Sequence, residues 1–576
     1  MLPQEIKERL QLAEDERRPR EAVWDLSYKN YRNYVDERAK KKHEANLFVP
    51  YTFASIETLA PRLYSSRITF KAEGQDFLDE KQARLIEGLL QYQWRITRMP
   101  KKLLYWVKSS LIYGVGIIKV GWRLEQKEVK TKGFLGREKT AMETLYDDPI
   151  VENVDVLDFY PDPNVTDFEN MEWCFFRSWY SKQDLIKAGF SASIVNSLDD
   201  KGSESQEKSA RSVALGMTSG RSGKGIEVLE YWTPDRLMTI ANRNIVLQDD
   251  DNPYIPGRIP CIVLLDIPDI HSPYGIGEPE TIFSLQAELN DLRNLRLDNV
   301  KIIVNKIFKA SKEAGLVGDM DVYPGKIFWL DDIGGMQEFN LSEAGLSAFR
   351  EIGEIKADIQ STTGVSDYQK GIGAEGMTET ATGIVSIQEA ASLRFTVRSM
   401  LLADAIGQLG QLFYEMDRKL LDRKKMIKIA GDKGEEFAEF DPLTLVPNVD
   451  IIFDETVNMP VQKSVRKAQN LELFGALRGD MRINQTALYK MLLESFELKN
   501  VEELLSGEQM NPQLLQAMAQ EGQIPPEMMA QMAGGQAPGG QTKQPSAPED
   551  VFRKVQGTPG LFGGIKRRLF GRGGAS

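Results

Sequence analysis

Apolar and polar positions recur at helical spacing between Glu278 and Val304 (EPETIFSLQAELNDLRNLRLDNVKIIV). At 100° per residue, Ile282, Leu285, Leu289, Leu292, Leu297, Val300, Ile303 and Val304 fall on one arc, and Glu280, Asp291 and Asp298 fall together opposite it. The spacing predicts one amphipathic helix of roughly 40 Å at 1.5 Å per residue. That length suits an element that spans something or packs beside copies of itself; a long helix in the core of a large enzyme carries the same pattern. Arg293 and Arg296 lie within or beside the apolar arc. A second helix is expected at 342–362, with Ala348, Phe349, Ile352, Ile355 and Ile359 on one face and Glu351, Glu354 and Asp358 on another. Between them, NKIFKASKEAGL and PGKIFWLDD read as two short strands, so the helices are expected to form an antiparallel pair around a small β excursion.

Elsewhere the period changes several times. Residues 3–45 read as helix, divided at Pro19, with Trp24, Tyr28, Tyr31 and Tyr34 at packing-face spacing. A short extended piece ends near Pro50, and a helix follows with Pro61 in or just after it. Residues 77–113 look helical. YGVGIIKVGWRLE (113–125) reads as a strand, GFLGRE (133–138) as a turn, and TAMETLYDDP as a return strand. Strands and turns are expected over 150–181, and antiparallel strands over 226–266. A helical pattern runs from about Thr380 to Lys425, strand-like LVPNVDIIFDE follows, and helices fill 461–506. The sum is an α+β chain, predominantly helical. From about Gly507 the composition shifts to Gln, Met, Pro and Gly, ending in GGIKRRLFGRGGAS, which cannot bury a core.

Composition narrows the chemistry. A chain of 576 residues exceeds one core, and two to four domains are expected. A net charge of -12 argues against a protein whose whole surface grips nucleic acid. Two cysteines (Cys174, Cys261) and two histidines (His43, His271) cannot build a Cys/His zinc cluster at usual spacing, and few cysteines fit a reducing compartment. No apolar run is long enough to cross a membrane, so no membrane insertion is expected, and the charged N-terminal stretch does not read as a secretory signal. The Gly223–Lys224 pair fails the P-loop pattern, with Thr218 where the first Gly belongs and Gly225 where Ser or Thr should hold magnesium. The GVG at 114–116 lacks a third Gly at dinucleotide spacing. Asp162, Asp167 and Glu169 raise the alternative of a metal-dependent DNA-processing enzyme; in a turn-rich stretch such acids are more often solvated. No cofactor is expected.

The ordered string NLFVPYTFASIETLAP, YGVGIIKVGW, HSPYGIGEPE with the long helix LNDLRNLRLDNV, a PG-containing hairpin, and MTETATGI opening another long helix resembles the portal proteins of tailed bacteriophages. The resemblance covers roughly residues 45–500, and GIGEPE…RNLRLDN and TETATGI carry most of it. It implies a non-enzymatic homo-oligomeric ring, usually of twelve subunits, at one capsid vertex of the virion, assembled in the bacterial host cytoplasm. Double-stranded DNA passes through its channel during packaging and ejection. A different head or tail protein, such as an adaptor, is the other structural alternative.

By the same resemblance, 1–277 and 380–458 make the wing, 278–304 and 342–363 the stem, 305–341 the clip, 364–379 the channel loop and 459–506 the crown, with 507–576 a Pro/Gly/Gln-rich tail. Implied partners are terminase, the major capsid or scaffolding protein and the tail adaptor. On this frame Glu280, Asp291 and Asp298 are expected to face the channel and repel phosphate. Gln369 and Lys370 are expected to contact DNA from the loop, Phe328 and Trp329 to anchor docking at the clip, and Arg293 and Arg296 to pair with Glu351, Glu354 or Asp358 of a neighbouring subunit.

Overall fold

The computed structural model describes residues 3–35, 44–64, 68–74, 80–132, 138–199, 225–254, 257–304, 308–310, 336–338, 346–365 and 381–421, and, with short breaks, stretches from 423 to 495. The chain divides into two units, Met1–Ile483 and Asn484–Ser576.

The first unit opens with α1 (Gln4–Tyr31), α2 (Tyr51–Leu63), β1 (Phe70–Gly74), α3 (Glu80–Ile96) and α4 (Met99–Tyr113). Then come β2 (Val115–Lys132), β3 (Glu138–Val154), β4 (Phe159–Pro161), β5 (Cys174–Tyr180), α5 (Lys182–Lys187) and α6 (Ala192–Ser197). Strands β6 (Ile226–Trp232), β7 (Arg236–Ala241), β8 (Ile245–Asp251) and β9 (Cys261–Leu265) lead into α7 (Glu278–Thr281) and α8 (Phe283–Val304). The chain passes through β10 (Phe308–Ala310) and β11 (Met336–Glu338) and returns along α9 (Leu346–Thr363). The helix α10 (Ala381–Leu420), the hairpin β12 (Lys425–Gly431) and β13 (Gly434–Phe440), and β14 (Val449–Phe453) follow. In the second unit the described element is α11 (Gln485–Ser495).

Several local expectations change. Pro19 does not divide α1, which stays helical throughout. Both halves pack on the same body: Ile6, Leu10 and Ala13 lie in one core cluster and Trp24 in another. That burial offsets the ~3 kcal/mol an interior proline costs. The run over 77–113 is two helices, because Arg98 adopts φ 56° and α4 restarts with Pro100 in its first turn. The pattern from Thr380 to Lys425 ends at Leu420, and the following residues form the β12–β13 hairpin. β10 falls within NKIFKAS as expected, but its partner is 336–338; PGKIFWLDD lies outside the described residues.

Two sheets organise the first unit. One has the order β4-β5-β6-β7-β8, all neighbours antiparallel. The other has the order β3-β2-β9. In β9, Ile262 and Leu264 face a core shared with Leu402, Ile406 and Leu409 of α10, while Val263 and Leu265 pack toward Trp24, Phe159 and Phe176. The sheet is therefore buried on both faces at its root, and α10 lies across it. That α+β arrangement, with helices packed on antiparallel sheets, agrees with the fold class expected from the pattern.

Candidate functional site

The helices α8 and α9 meet along an apolar seam of Ile282, Leu289, Ile352, Ile355 and Ile359, with Leu285 and Leu292 packed against it. A second face of α8 is polar yet covered. Its residues Gln286, Asn290, Asn294 and Asp298 follow each other four apart and hold the extended chain that precedes α2. Asp298 Oδ1 accepts from Ala45 N–H at 2.6 Å, Asn294 Oδ1 from Leu47 N–H at 2.7 Å and Asn290 Oδ1 from Val49 N–H at 2.9 Å. Asn294 Nδ2 and Gln286 Nε2 donate back to the carbonyls of Leu47 (3.0 Å) and Val49 (2.8 Å). The match is geometric. Four helical residues rise about 6 Å, two extended residues advance about 6.6 Å, and amides supply both a donor and an acceptor.

At the base of α8 the chain crosses itself at glycines. α4 ends at Gly114 with φ +82°, and a Cβ there would lie 2.1 Å from the carbonyl oxygen of Gly275. A Cβ on Gly275 would lie 2.6 Å from the Gly114 carbonyl oxygen, and one on Gly277 would lie 2.7 Å from that of Ile112. Two of the motifs that carry the resemblance, YGVG and GIGEPE, are thus a single backbone contact. Arg20 of α1 closes it from outside, donating to the Gly275 carbonyl at 3.0 Å and pairing with Glu280 at 3.1 Å.

From the other side Arg398 of α10 reaches two buried carboxylates, Asp266 (Nε to Oδ1, 2.9 Å) and Glu278. Burial drives the Asp266 carboxyl well above the usual carboxylate range, against the pull of Arg398, and the nearby Glu278 charge adds to the rise. One guanidinium cannot neutralise two carboxylates, which leaves the charged form of Asp266 disfavoured.

These contacts relocate the expected site residues. The helix breaks at Ile282 (φ -123°, ψ 13°), so Glu280 belongs to α7 and is engaged by Arg20, not in register with α8. Asp298 is bound to Ala45 N–H and to Lys301 at 2.8 Å. The single acidic stripe is therefore corrected: of its three members only Asp291 is exposed, and its neighbour one turn back is Glu288, also exposed. Arg293 is exposed and Arg296 half-buried. On α9, Glu351, Glu354 and Asp358 are all exposed. The apolar arc also shortens, since Val300 is 47% exposed. Phe328, Trp329, Gln369 and Lys370 lie outside the described residues.

The acids at 162–169 have structural tasks. Asp162 accepts from Asn164 N–H, Asp167 caps a short 3-10 helix through Glu169 N–H, and Glu169 accepts from Gln408. Among the described residues no group of three or more His, Cys, Asp or Glu is arranged to hold a metal ion, and no helix is long and apolar enough to cross a membrane. Reading the sequence alone missed Arg20, Arg398 and the amide ladder. The four-residue spacing of Gln286, Asn290, Asn294 and Asp298 was the available signal for the last.

The phage P22-like portal protein family matches residues 9–244, and the phage SU10 portal protein family matches residues 135–538. No curated protein matches the chain. The second of these family matches spans more than half of the sequence and takes in Gly275, Gly277, α7, α8, α9 and α10; the chain belongs to the phage SU10 portal protein family.

Proposed function

We propose that, in this portal protein, the α8–α9 pair forms the wall of the DNA channel, with the exposed acids of that pair turned toward the duplex. Portal proteins form a ring at one capsid vertex, through which double-stranded DNA enters during packaging and leaves during ejection, and on which terminase and the tail adaptor dock. The family is structural and not enzymatic. The observation that carries the channel-wall reading is the distribution of charge on a pair otherwise committed to packing. Apolar residues fill the α8–α9 seam, and amides hold the 45–52 segment. What remains exposed includes Glu288 and Asp291 on α8 and Glu351, Glu354 and Asp358 on α9. Acidic walls repel phosphate and release no counterions, which leaves DNA a shallow potential along which to slide.

The remaining division of labour follows the resemblance. Residues 305–341 would serve as the docking clip with Phe328 and Trp329 as anchors, 364–379 as the channel loop with Gln369 and Lys370 toward DNA, and 459–506 as the crown. The ring would hold twelve copies, assemble in the host cytoplasm and contact the major capsid or scaffolding protein. Arg293 and Arg296 would reach acids of a neighbouring α9.

The test is Glu288→Lys with Asp291→Lys in assembled portals. Translocation should slow at low salt and recover as salt screens the new charges. Parent rates at low salt would place this face away from DNA.

A further inference from the structure

The sheet β3-β2-β9 ends in two unlike edges among the described residues. β9 pairs only with Val115–Lys119 of β2, whereas β2 and β3 stay paired out to Lys132 and Glu138. From Leu124 outward the two strands form a ribbon of roughly 27 Å, at about 3.4 Å per residue. On it Leu124 is 56%, Met142 52% and Leu145 59% exposed. A two-stranded ribbon is marginal alone in water, and three exposed apolar side chains need a surface to lie on. The distal pairs, 129–132 with 138–141, carry Lys130, Lys132 and Lys139 against Glu138.

The opposite edge presents the complement. β9 lies along an open cleft of about 710 Å³, lined also by Phe168 and by Leu401 of α10. Asp167, Glu169, Asp269 and Asp404 line it. Arg258 is the one basic group among the described lining residues, and it already pairs with Glu415 at 3.5 Å. Beside the lining residues Asp269 and Leu401, Ile270 is 83% and Met400 57% exposed. An extended basic segment entering the cleft would add a strand to β9, the mode by which sheet edges recognise peptides. It would also cover an edge that sheets do not leave bare without cost.

We propose that the basic end of the β2–β3 ribbon of one copy seats in the acidic cleft along β9 of the next. The inference rests on the ring assembly of portals, in which each copy presents two different surfaces to its two neighbours. Ribbon and cleft are such a pair: they sit at opposite edges of one sheet and differ in shape, and the distal end of the ribbon is basic where the cleft is acidic. Pairing β3 with the next β9 would carry the sheet from subunit to subunit.

Cys261 makes this testable, since it is partly exposed and lines the cleft. Full-length chains carrying Lys130→Cys or Lys132→Cys are assembled, isolated as rings by size and treated with a short bismaleimide. A ladder of covalent multimers is expected on denaturing electrophoresis, absent from the parent and from the same variants with Cys261→Ala. Rings that give no Cys261-dependent ladder from either position overturn the clasp and leave the ring standing. A parent chain that stays monomeric overturns both.

Charge reversal supplies an independent arm. Changing Lys130, Lys132 and Lys139 to Glu should lower ring yield about tenfold or more without moving the unfolding midpoint. Adding Glu169→Lys and Asp404→Lys should restore it. Parent-like yield in the triple variant, or normal rings that fail only in packaging, would assign the lysines to DNA or another partner and end the proposal.

Discussion

Asn294 grips Leu47 with both atoms of its amide: Oδ1 accepts the Leu47 N–H at 2.7 Å, and Nδ2 donates to the Leu47 carbonyl at 3.0 Å. The two residues are 247 apart in the chain, and Asn294 is 3% exposed. A β-sheet would provide this pair of bonds from another backbone; here a helix side chain takes that place. The 45–52 segment is thereby paired without a strand beside it.

Asn294→Ala should therefore cost more than a surface substitution. It removes two part-buried hydrogen bonds, at about 0.5–1.5 kcal/mol each. Asn294→Asp keeps the acceptor but buries a carboxylate against the Leu47 carbonyl oxygen, so at neutral pH it should cost at least as much as Asn294→Ala. Amide hydrogen exchange at Leu47, read beside the unfolding midpoint, checks this. Slow exchange at Leu47 in the Ala variant would show that the ladder is not what protects it.

The glycine crossing should tolerate no side chain. Gly114→Ala places a Cβ 2.1 Å from a backbone oxygen at φ +82°, and backbone on both sides must move. We expect a loss of more than about 3 kcal/mol, or failure to assemble. Gly189 provides the control, since its φ is +97° but nothing lies within 4 Å of the added Cβ. Gly189→Ala should cost only about 1 kcal/mol of backbone strain. Equal effects at the two positions in thermal unfolding would deny the crossing its special tightness.

Asp417 gives a pH signature. It is fully buried on α10; Gln93 Nε2 donates to its Oδ1 at 2.6 Å, and its Oδ2 has no hydrogen-bond partner among the described residues. Burial pushes its carboxyl up to about 8 from 3.8, while the Gln93 hydrogen bond and Lys425 pull the other way. With the folded value above the unfolded one, its stabilising contribution is fully present below pH ~4 and is lost as pH rises through ~8. Asp417→Asn removes that dependence. Relative to the parent, the variant should gain stability with rising pH between ~4 and ~8, by at most about 1.4 kcal/mol per unit, and level off above. Urea midpoints measured across that range test it; a constant difference would mean that Asp417 is ionised in the fold.

Much of this architecture was legible in the chain. The apolar period of Leu285, Leu289 and Leu292 and of Ile352, Ile355 and Ile359 placed two amphipathic helices that do pack together. Alternation over 226–266 placed antiparallel strands, and there β6, β7 and β8 pair in sequence while β9 pairs with β2. The motifs around Gly114 and Gly277 were visible as part of the portal resemblance, though not as the backbone crossing they form, and the shortage of Cys and His excluded a Cys/His zinc cluster before any geometry was known. Those features are local. A repeat of 3.6 or 2 residues, or a required φ, is written in neighbouring positions.

Only the tertiary structure decided what each polar face meets. On a wheel, Asp291 and Asp298 are equivalent acids, yet one is exposed and the other accepts the Ala45 N–H. Glu280 continues their stripe on the wheel, but the break at Ile282 and the reach of Arg20 take it out of register. Pro19 looked like a boundary until packing on both sides of it kept α1 whole. Each outcome was set by residues far along the chain. Periodicity determines which side chains share a face; whether that face finds water, a backbone or a cation depends on long-range packing, to which a local repeat is blind.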